Sequence, residues 1–245
     1  AAASFAVECG IPTLIARLLY NRGVCGSDAV RRFLEPDETC LYDPFLLPDM
    51  KDAVDRLRRA VGSREKILVF SDYDVDGVTS AAMCSRWLDA QGADFSIMLP
   101  DRQVDGYDFN RSALDTARER GVGLILCLDC GSNSTVIREA SVYGIDVIVV
   151  DHHETDAVDY DLMLVNPKRS GAGYPFRDLT TGALMFKFLS ALDGAPVYDY
   201  IDLAALSVVC DVAPLVDENR FIVKHGLERM RNEPCLGLEV LMKAA

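Results

Sequence analysis

The chain has 245 residues, 50% of them apolar and 26% charged, a globular composition long enough for one large α/β domain or two small ones. No apolar run approaches the roughly 18 residues of a membrane span, and the N-terminus lacks signal-peptide zoning, so a cytoplasmic protein with no membrane partner is expected. The net charge of −13, from 25 basic and 38 acidic residues, excludes a broadly basic face for gripping long nucleic acid, unless that surface lies elsewhere; part of the acid excess suits a metal site.

Short helices are predicted over Pro12–Asn21 and Ser27–Leu34, with Ser27 as N-cap. The proline-containing stretch from Glu35 to Asp49 reads as an extended connection. Ala53, Val54, Leu57, Ala60 and Val61 recur at helical spacing and predict an amphipathic helix over Met50–Val61. Five short apolar runs follow: Ile67–Phe70, Phe95–Leu99, Leu124–Leu128, Val147–Val150 and, more weakly, Leu162–Val165. They lack polar alternation, as strands buried on both faces of a parallel sheet do. Helical stretches Val78–Gln91, Asn110–Arg120 and Ser134–Tyr143 separate them, two ended by Gly121 and Gly144. The alternation predicts an α/β fold with a doubly wound, mainly parallel sheet. Gly182–Leu192, Asp199–Val209 and Asn219–Arg231 then read as helices, giving a helical C-terminal end.

Eight cysteines are scattered through a chain too long to need a disulfide framework. Cys84, Cys127 and Cys210 lie in apolar runs, where a thiol acts as a small hydrophobe. One CxxC, Cys127 and Cys130, has no second pair to complete a zinc site. The thiols are expected to be structural.

In an open parallel sheet, ligands bind beyond the carboxyl ends of the strands. Three predicted strands run directly into acid: into Asp72-Tyr73-Asp74-Val75-Asp76-Gly77, into Asp129-Cys130-Gly131 and into Asp151-His152-His153. Acids at strand ends also serve as helix N-caps and solvated turns. Three convergent ends carrying two of the chain's three histidines point instead to divalent cations, which would offset the repulsion. The Asp72-x-Asp74-x-Asp76-Gly77 loop resembles the start of an EF-hand, but Met83 stands where that loop needs a glutamate and a strand precedes it. A strand followed by Asp-x-Asp-Gly-Val also resembles the nucleophile loop of haloacid-dehalogenase-type phosphatases. Lys168 could then serve as that family's lysine, but the histidine pair would have no task.

Taken together, Asp72-Tyr73-Asp74-Val75-Asp76-Gly77-Val78-Thr79-Ser80, Leu128-Asp129-Cys130-Gly131-Ser132, Val150-Asp151-His152-His153 and Cys210-Asp211-Val212-Ala213-Pro214-Leu215 resemble the four motifs of the DHH phosphoesterase superfamily. Leu19-Tyr20-Asn21-Arg22-Gly23, Phe33-Leu34-Glu35-Pro36, Asp43 to Met50, Asn166-Pro167-Lys168 and Glu218-Asn219-Arg220 extend the resemblance to its bacterial single-strand-specific 5′→3′ DNA exonucleases. The resemblance implies a helical region over residues 1–50 packing on a phosphoesterase domain over 51–245. It also implies a continuation into a DHHA1 domain and an OB-type module, absent from this chain, that carry much of the DNA grip.

By the same resemblance, Asp74 ligates one ion and Asp76 the other, Asp129 bridges, and His152 and Asp211 complete the second ion. His153 meets substrate phosphate, and Asp72 and Asp151 give support from the rim of the site or from behind its ligands. Phe70 stands where many members place a metal-binding histidine, so Asp72, water or phosphate has more to do at the first ion. Ser71 replaces a usual glycine, Ser207-Val208-Val209 replaces a Gly-Thr segment, and Asp108 stands where glycine is common.

Two divalent ions roughly 3.5–4 Å apart can generate hydroxide and stabilise the leaving oxygen of a phosphodiester. Oxygen-rich ligands with one imidazole suit Mn²⁺, with Mg²⁺ acceptable. Release of 5′-mononucleotides from single-stranded DNA in repair and recombination is the function implied. Weak binding of long strands and repair-complex proteins as partners come with it. Hydrolysis of short oligonucleotides or cyclic dinucleotides is the alternative within the superfamily, and a non-enzymatic replication scaffold the alternative outside catalysis. Arg102 is a weaker candidate for phosphate, Tyr107 and Phe109 for base stacking or core. His225 is expected at the surface or in the core, and Trp87 in the core.

Overall fold

A computed structural model describes residues 2–101, 106, 108–155 and 162–244; Arg102 and Tyr107 lie outside this set. Short N-terminal helices α1 (Ala2–Cys9), α2 (Thr13–Asn21) and α3 (Ser27–Leu34) lead through two 3₁₀ turns, Glu38–Cys40 and Pro44–Leu46, into α4 (Met50–Ser63). The stretch predicted as extended is therefore partly wound, because Asp37 and Asp43 each accept a backbone N–H two residues on and close a turn. Ser27 is the first residue of α3 rather than its cap, a place taken by Gly26 without a side-chain bond.

Five strands follow: β1 (Ile67–Ser71), β2 (Phe95–Met98), β3 (Leu124–Leu128), β4 (Asp146–Val150) and β5 (Met163–Val165). They pair in the order β2-β1-β3-β4-β5, every pair parallel. The predicted runs match them closely, because a strand with helices over both faces needs apolar side chains on both. Ile67, Val69, Leu126 and Val150 enter one core, with α4, α5 (Val75–Ala90), α7 (Thr181–Asp193), α8 (Ile201–Cys210) and α9 (Asp217–Asn232). Leu68, Phe70, Cys127 and Val149 enter a second, with α6 (Arg111–Arg120) and the segment Ile137–Tyr143.

That segment is a 3₁₀ helix, starting three residues later than the helical stretch predicted over Ser134–Tyr143. Its tighter winding stacks residues three apart, and Ile137 and Ala140 are both buried. Cys210 is exposed at the end of α8, against the expectation for an apolar run, whereas Cys84 and Cys127 are buried. Phe109 packs edge-to-face on Phe70 with ring centroids 5.0 Å apart, so it belongs to the core. Trp87 is buried too, its indole N–H donating to Asp193 at 2.9 Å. His225 is half-buried, 3.1 Å from the Pro36 carbonyl. Two elements were not foreseen: α1 and α10 (Leu236–Ala244).

The order β2-β1-β3 makes a switch point. The chain leaves β1 for α5 on one face, and leaves β3 for the Ile137–Tyr143 segment on the other. A crevice opens between their carboxyl ends, where open α/β sheets bind ligands.

Glu218 ties the N-terminal segment to the helices behind that crevice. It is fully buried and accepts from Lys187 Nζ at 2.5 Å, Tyr174 O–H at 2.7 Å and Tyr42 N–H at 3.0 Å. Burial pushes the Glu218 carboxyl up and the Lys187 ammonium down, and their mutual attraction opposes both shifts. Its neighbours act alike: Asn219 donates to the Asp178 and Pro214 carbonyls, and Arg220 to that of Phe33. Removing one partner of a buried pair strands the other's charge, so Lys187→Met is expected to cost about 3–5 kcal/mol in urea unfolding. Adding Glu218→Gln should recover part of that loss; a single-variant cost below about 1 kcal/mol would rule out a buried charge pair here.

Candidate metal centre

The parallel ladder continues one residue past the strands. Ser71, Leu128, Val150 and Val165 share one register row. In the next row the amides of Asp72, Asp129 and Asp151 donate to the carbonyls of Leu128, Val150 and Val165. Asp72, Asp129, Asp151 and then Asn166 therefore stand side by side at strand spacing, about 4.8 Å between neighbours.

Each is handled differently. Alternation along β3 would turn Asp129 towards the second core, as it turns Cys127. Instead Asp129 adopts a left-handed backbone (φ 60°), and its Oδ1 accepts from Thr181 Oγ1 of α7 at 2.9 Å. Asp151 stays behind the site. Its Oδ1 accepts from the His152 and His153 amides and lies 2.7 Å from His153 Nδ1, while its Oδ2 accepts from Ser132 N–H. Burial opposes ionisation there, but the His153 hydrogen bond and charge, together with these N–H donors, hold the carboxyl at about 2. The bond to Asp151 in turn raises the His153 imidazole.

The loop after β1 supplies the rest. Asp74 caps α5 by accepting the Gly77 amide at 3.0 Å, so the helix-cap explanation of this acid is correct and compatible with a second role. A Cβ on Gly77 would lie 2.4 Å from the Asp72 carbonyl oxygen, so only glycine lets the helix start this close. Asp76, in the first turn of α5, is 2% exposed. It accepts the Thr181 and Gly182 amides at the start of α7, at 2.8 and 2.7 Å, and Ser207 Oγ of α8 at 2.6 Å. A helix N-terminus favours a carboxylate. A Cβ on Gly182 would meet Ser207 at 2.5 Å, so this contact also requires glycine.

His152 Nε2 lies 3.5 Å from Asp129, 3.6 Å from Asp76 and 3.8 Å from Asp211, the residue that ends α8. Three overlapping groups have ligand atoms within 4.8 Å of one another: Asp72, Asp74 and Asp129; Asp76, His152 and Asp211; and Asp129, His152 and His153. All five residues predicted as ligands thus converge, and Asp72 gathers with Asp74 and Asp129, where the resemblance gave it more to do at the first ion. Phe70 is fully buried against Phe109 in the second core and offers the cluster no ligand atom. Burial pushes Asp129 up to about 10, and the charges of Asp76, Asp74 and Asp151 add to the shift; burial likewise raises Asp76. Such a cluster is relieved by divalent cations, and carboxylates with imidazole suit Mn²⁺ or Mg²⁺.

Thr181, Gly182, Ser207, Ser132 and Asn166 support the site and were not foreseen as such. Ser207 was noted only as a departure from a glycine-threonine segment, yet its hydroxyl holds Asp76. Ser71 donates to the Gly77 carbonyl at 2.7 Å, and Asp108 accepts the Gly131 amide at 2.8 Å. Lys168 Nζ is 3.6 Å from the exposed Glu154, and His152 and His153 sit in the acid–histidine groups, a task that the haloacid-dehalogenase reading does not give them.

Residues 66–208 match the DHH family, N-terminal domain. The chain is 40% identical over 237 residues to the single-stranded-DNA-specific exonuclease RecJ of Bacillus subtilis, covering 95% of this chain and 30% of that protein. The crystal structure of RecJ in complex with Mn²⁺ from Thermus thermophilus matches with a TM-score of 0.81 and 30% identity, over 99% of this chain and 35% of that one. The Mg²⁺ complex from the same organism matches with a TM-score of 0.70 and 27% identity, over 99% and 32%. The chain thus spans about a third of the length of these relatives.

Outer partners of a metal ligand typically govern affinity by about 10–100-fold. Ser207→Ala is expected to weaken Mn²⁺ binding, measured by calorimetry, within that range. Unchanged affinity would show that the hydroxyl does not orient Asp76.

Proposed function

The chain belongs to the DHH family, and on that premise we propose that it is the phosphodiesterase core of a RecJ-type 5′→3′ single-stranded-DNA exonuclease, releasing 5′-mononucleotides in repair and recombination. What carries the reading is the convergence of Asp72, Asp74, Asp76, Asp129 and Asp211 around His152 at the switch point. In this reading residues 1–50 are a helical region packing on a phosphoesterase domain of residues 51–245.

Bound in this cluster, two Mn²⁺ or Mg²⁺ ions would supply Lewis acidity and an activated water nucleophile. Asp129 groups with Asp72 and Asp74 and lies 3.5 Å from His152 of the other group, which suits it to serve both positions. Asp74 and Asp72 would hold the first ion with it; Asp76, His152 and Asp211 would hold the second. Asp76 cannot swing away, because two amides and a hydroxyl fix both of its oxygens; this keeps the second position preorganised. His153, 43% exposed and pinned through Nδ1 by Asp151, presents Nε2 to a substrate phosphate.

The relatives are named for single-stranded DNA, and the acid excess of this chain favours weak binding of long strands when it acts alone. The protein works in the cytoplasm in this reading, with repair proteins as partners. The same acid excess favours a second reading, in which short oligonucleotides or cyclic dinucleotides are the substrate.

A 5′-labelled strand, a dinucleotide and a cyclic dinucleotide, each with Mn²⁺, Mg²⁺ or EDTA, separate these readings. Mononucleotide release from the strand with Mn²⁺, abolished by EDTA, is expected. Asp129→Asn should lower it by more than about 100-fold, beyond what outer partners govern. Activity on the dinucleotide alone would select the second reading; none on any substrate would leave a non-enzymatic scaffold.

A further inference from the structure

Asn166-Pro167-Lys168 matches the family pattern yet supplies no group to the metal cluster. Asn166 is fully buried. Its Nδ2 donates to the His153 carbonyl at 2.9 Å and to Ser132 Oγ at 3.0 Å, while its Oδ1 accepts the Lys168 amide at 2.8 Å. One side chain thus locks the Lys168 turn to the histidine loop. Arg177 extends the lock by donating to the Lys168 carbonyl at 2.9 Å.

Beside this turn opens a pocket of about 560 Å³, lined by Glu154, Thr155, Lys168, Arg169, Tyr174 and Arg177 among others. Arg169 is committed to Asp49 at 2.5 Å. Lys168 and Arg177 are less committed: Glu154 approaches them at only 3.6 and 3.9 Å, and its side chain is 77% exposed. An ion pair so loose and so exposed adds little stability and yields readily to a better anion. Glu154 therefore marks where an anionic oxygen can sit between the two cations. In a chain of net charge −13, three basic side chains lining one pocket beside a candidate phosphodiesterase centre form a local exception.

We propose that Lys168 and Arg177 bind a backbone phosphate of the single strand next to the one being cut, displacing Glu154. The proposal rests on the phosphodiesterase reading above and assigns it a substrate contact. Arginine and lysine differ in geometry but both neutralise phosphate, and release of counterions then makes affinity salt-dependent.

The test uses a single strand of about twelve nucleotides, within the span that single-strand grooves cover. Its binding is followed by anisotropy with Mn²⁺ and a hydrolysis-resistant phosphorothioate backbone, and its cleavage by steady-state kinetics. Lys168→Gln with Arg177→Gln is expected to raise Kd and KM by roughly tenfold or more, as loss of charged hydrogen bonds does. The log–log salt slope should become shallower by about 0.7, the worth of one neutralised phosphate on a single strand. Glu154→Gln should move Kd the opposite way, which a merely unfolded variant cannot do. Unchanged Kd, KM and salt slope in the double variant overturn the proposal, while wild-type cleavage leaves the phosphodiesterase reading standing. A wild type that binds but never cuts, with binding weakened in the double variant, overturns that reading and supports the phosphate contact. Neither binding nor cutting by the wild type overturns both.

Discussion

The site depends on one constraint, the in-register parallel ladder that runs one residue past the strand ends. Parallel pairing fixes neighbouring chains about 4.8 Å apart, and here it sets Asp72, Asp129, Asp151 and Asn166 on successive strands of one row. Three carboxylates at that spacing repel strongly unless each is answered. The protein answers them by different means. Asp151 is enclosed by N–H donors and a histidine. Asp129 turns over to α7 and shares the cluster with His152. Asp72 gathers with Asp74 and Asp129, and the fourth rung is a neutral amide.

The helices complete what the sheet begins. Asp76 is not on the ladder; it reaches the cluster because α5 starts directly after the β1 loop and Gly77 lets that start press on the Asp72 carbonyl. Its orientation comes from two other helices, through the α7 amides and the Ser207 hydroxyl. Of these, α7 is held in turn by the buried Glu218, which bonds its Lys187 together with Tyr174 and Tyr42. Helix α7 therefore links the N-terminal segment, at Lys187, to the edge of the metal cluster, at its first amides.

Much of this was legible in the sequence. Residues buried on both faces write an unbroken apolar run in β1, β3 and most of β4, and the shorter apolar runs of the edge strands β2 and β5 were marked well enough to place all five to within a residue at their ends. Acids at the ends of such runs must meet on one rim, which made the convergence of Asp72, Asp74, Asp76, Asp129 and His152 readable; Asp211, at the end of α8, was implied only by the family resemblance. The Ile137–Tyr143 segment reads only as helical, without its type, because Ile137 and Ala140, three apart, suit an α-helix and a 3₁₀ helix equally. Most of α10 carries no such signal: Leu236, Val240, Leu241 and Met242 are all exposed. The supporting residues were the least visible, since Thr181, Gly182, Ser207 and Asn166 act through backbone amides, hydroxyls and close approach across distant segments. Nothing in their local pattern announces a partner more than a hundred residues away, as Asp76 is from Gly182.

The left-handed backbone of Asp129 has a consequence for how such a chain can change. Side chains tolerating that conformation are few: glycine, and among the rest chiefly aspartate and asparagine. One position thus answers to two independent demands, a charge for the cations and a turn for the fold. Asparagine satisfies the second without the first. A lineage can therefore give up chemistry at this residue and keep its architecture intact, so a silent descendant would inherit the same crevice as a ready-made surface for something else.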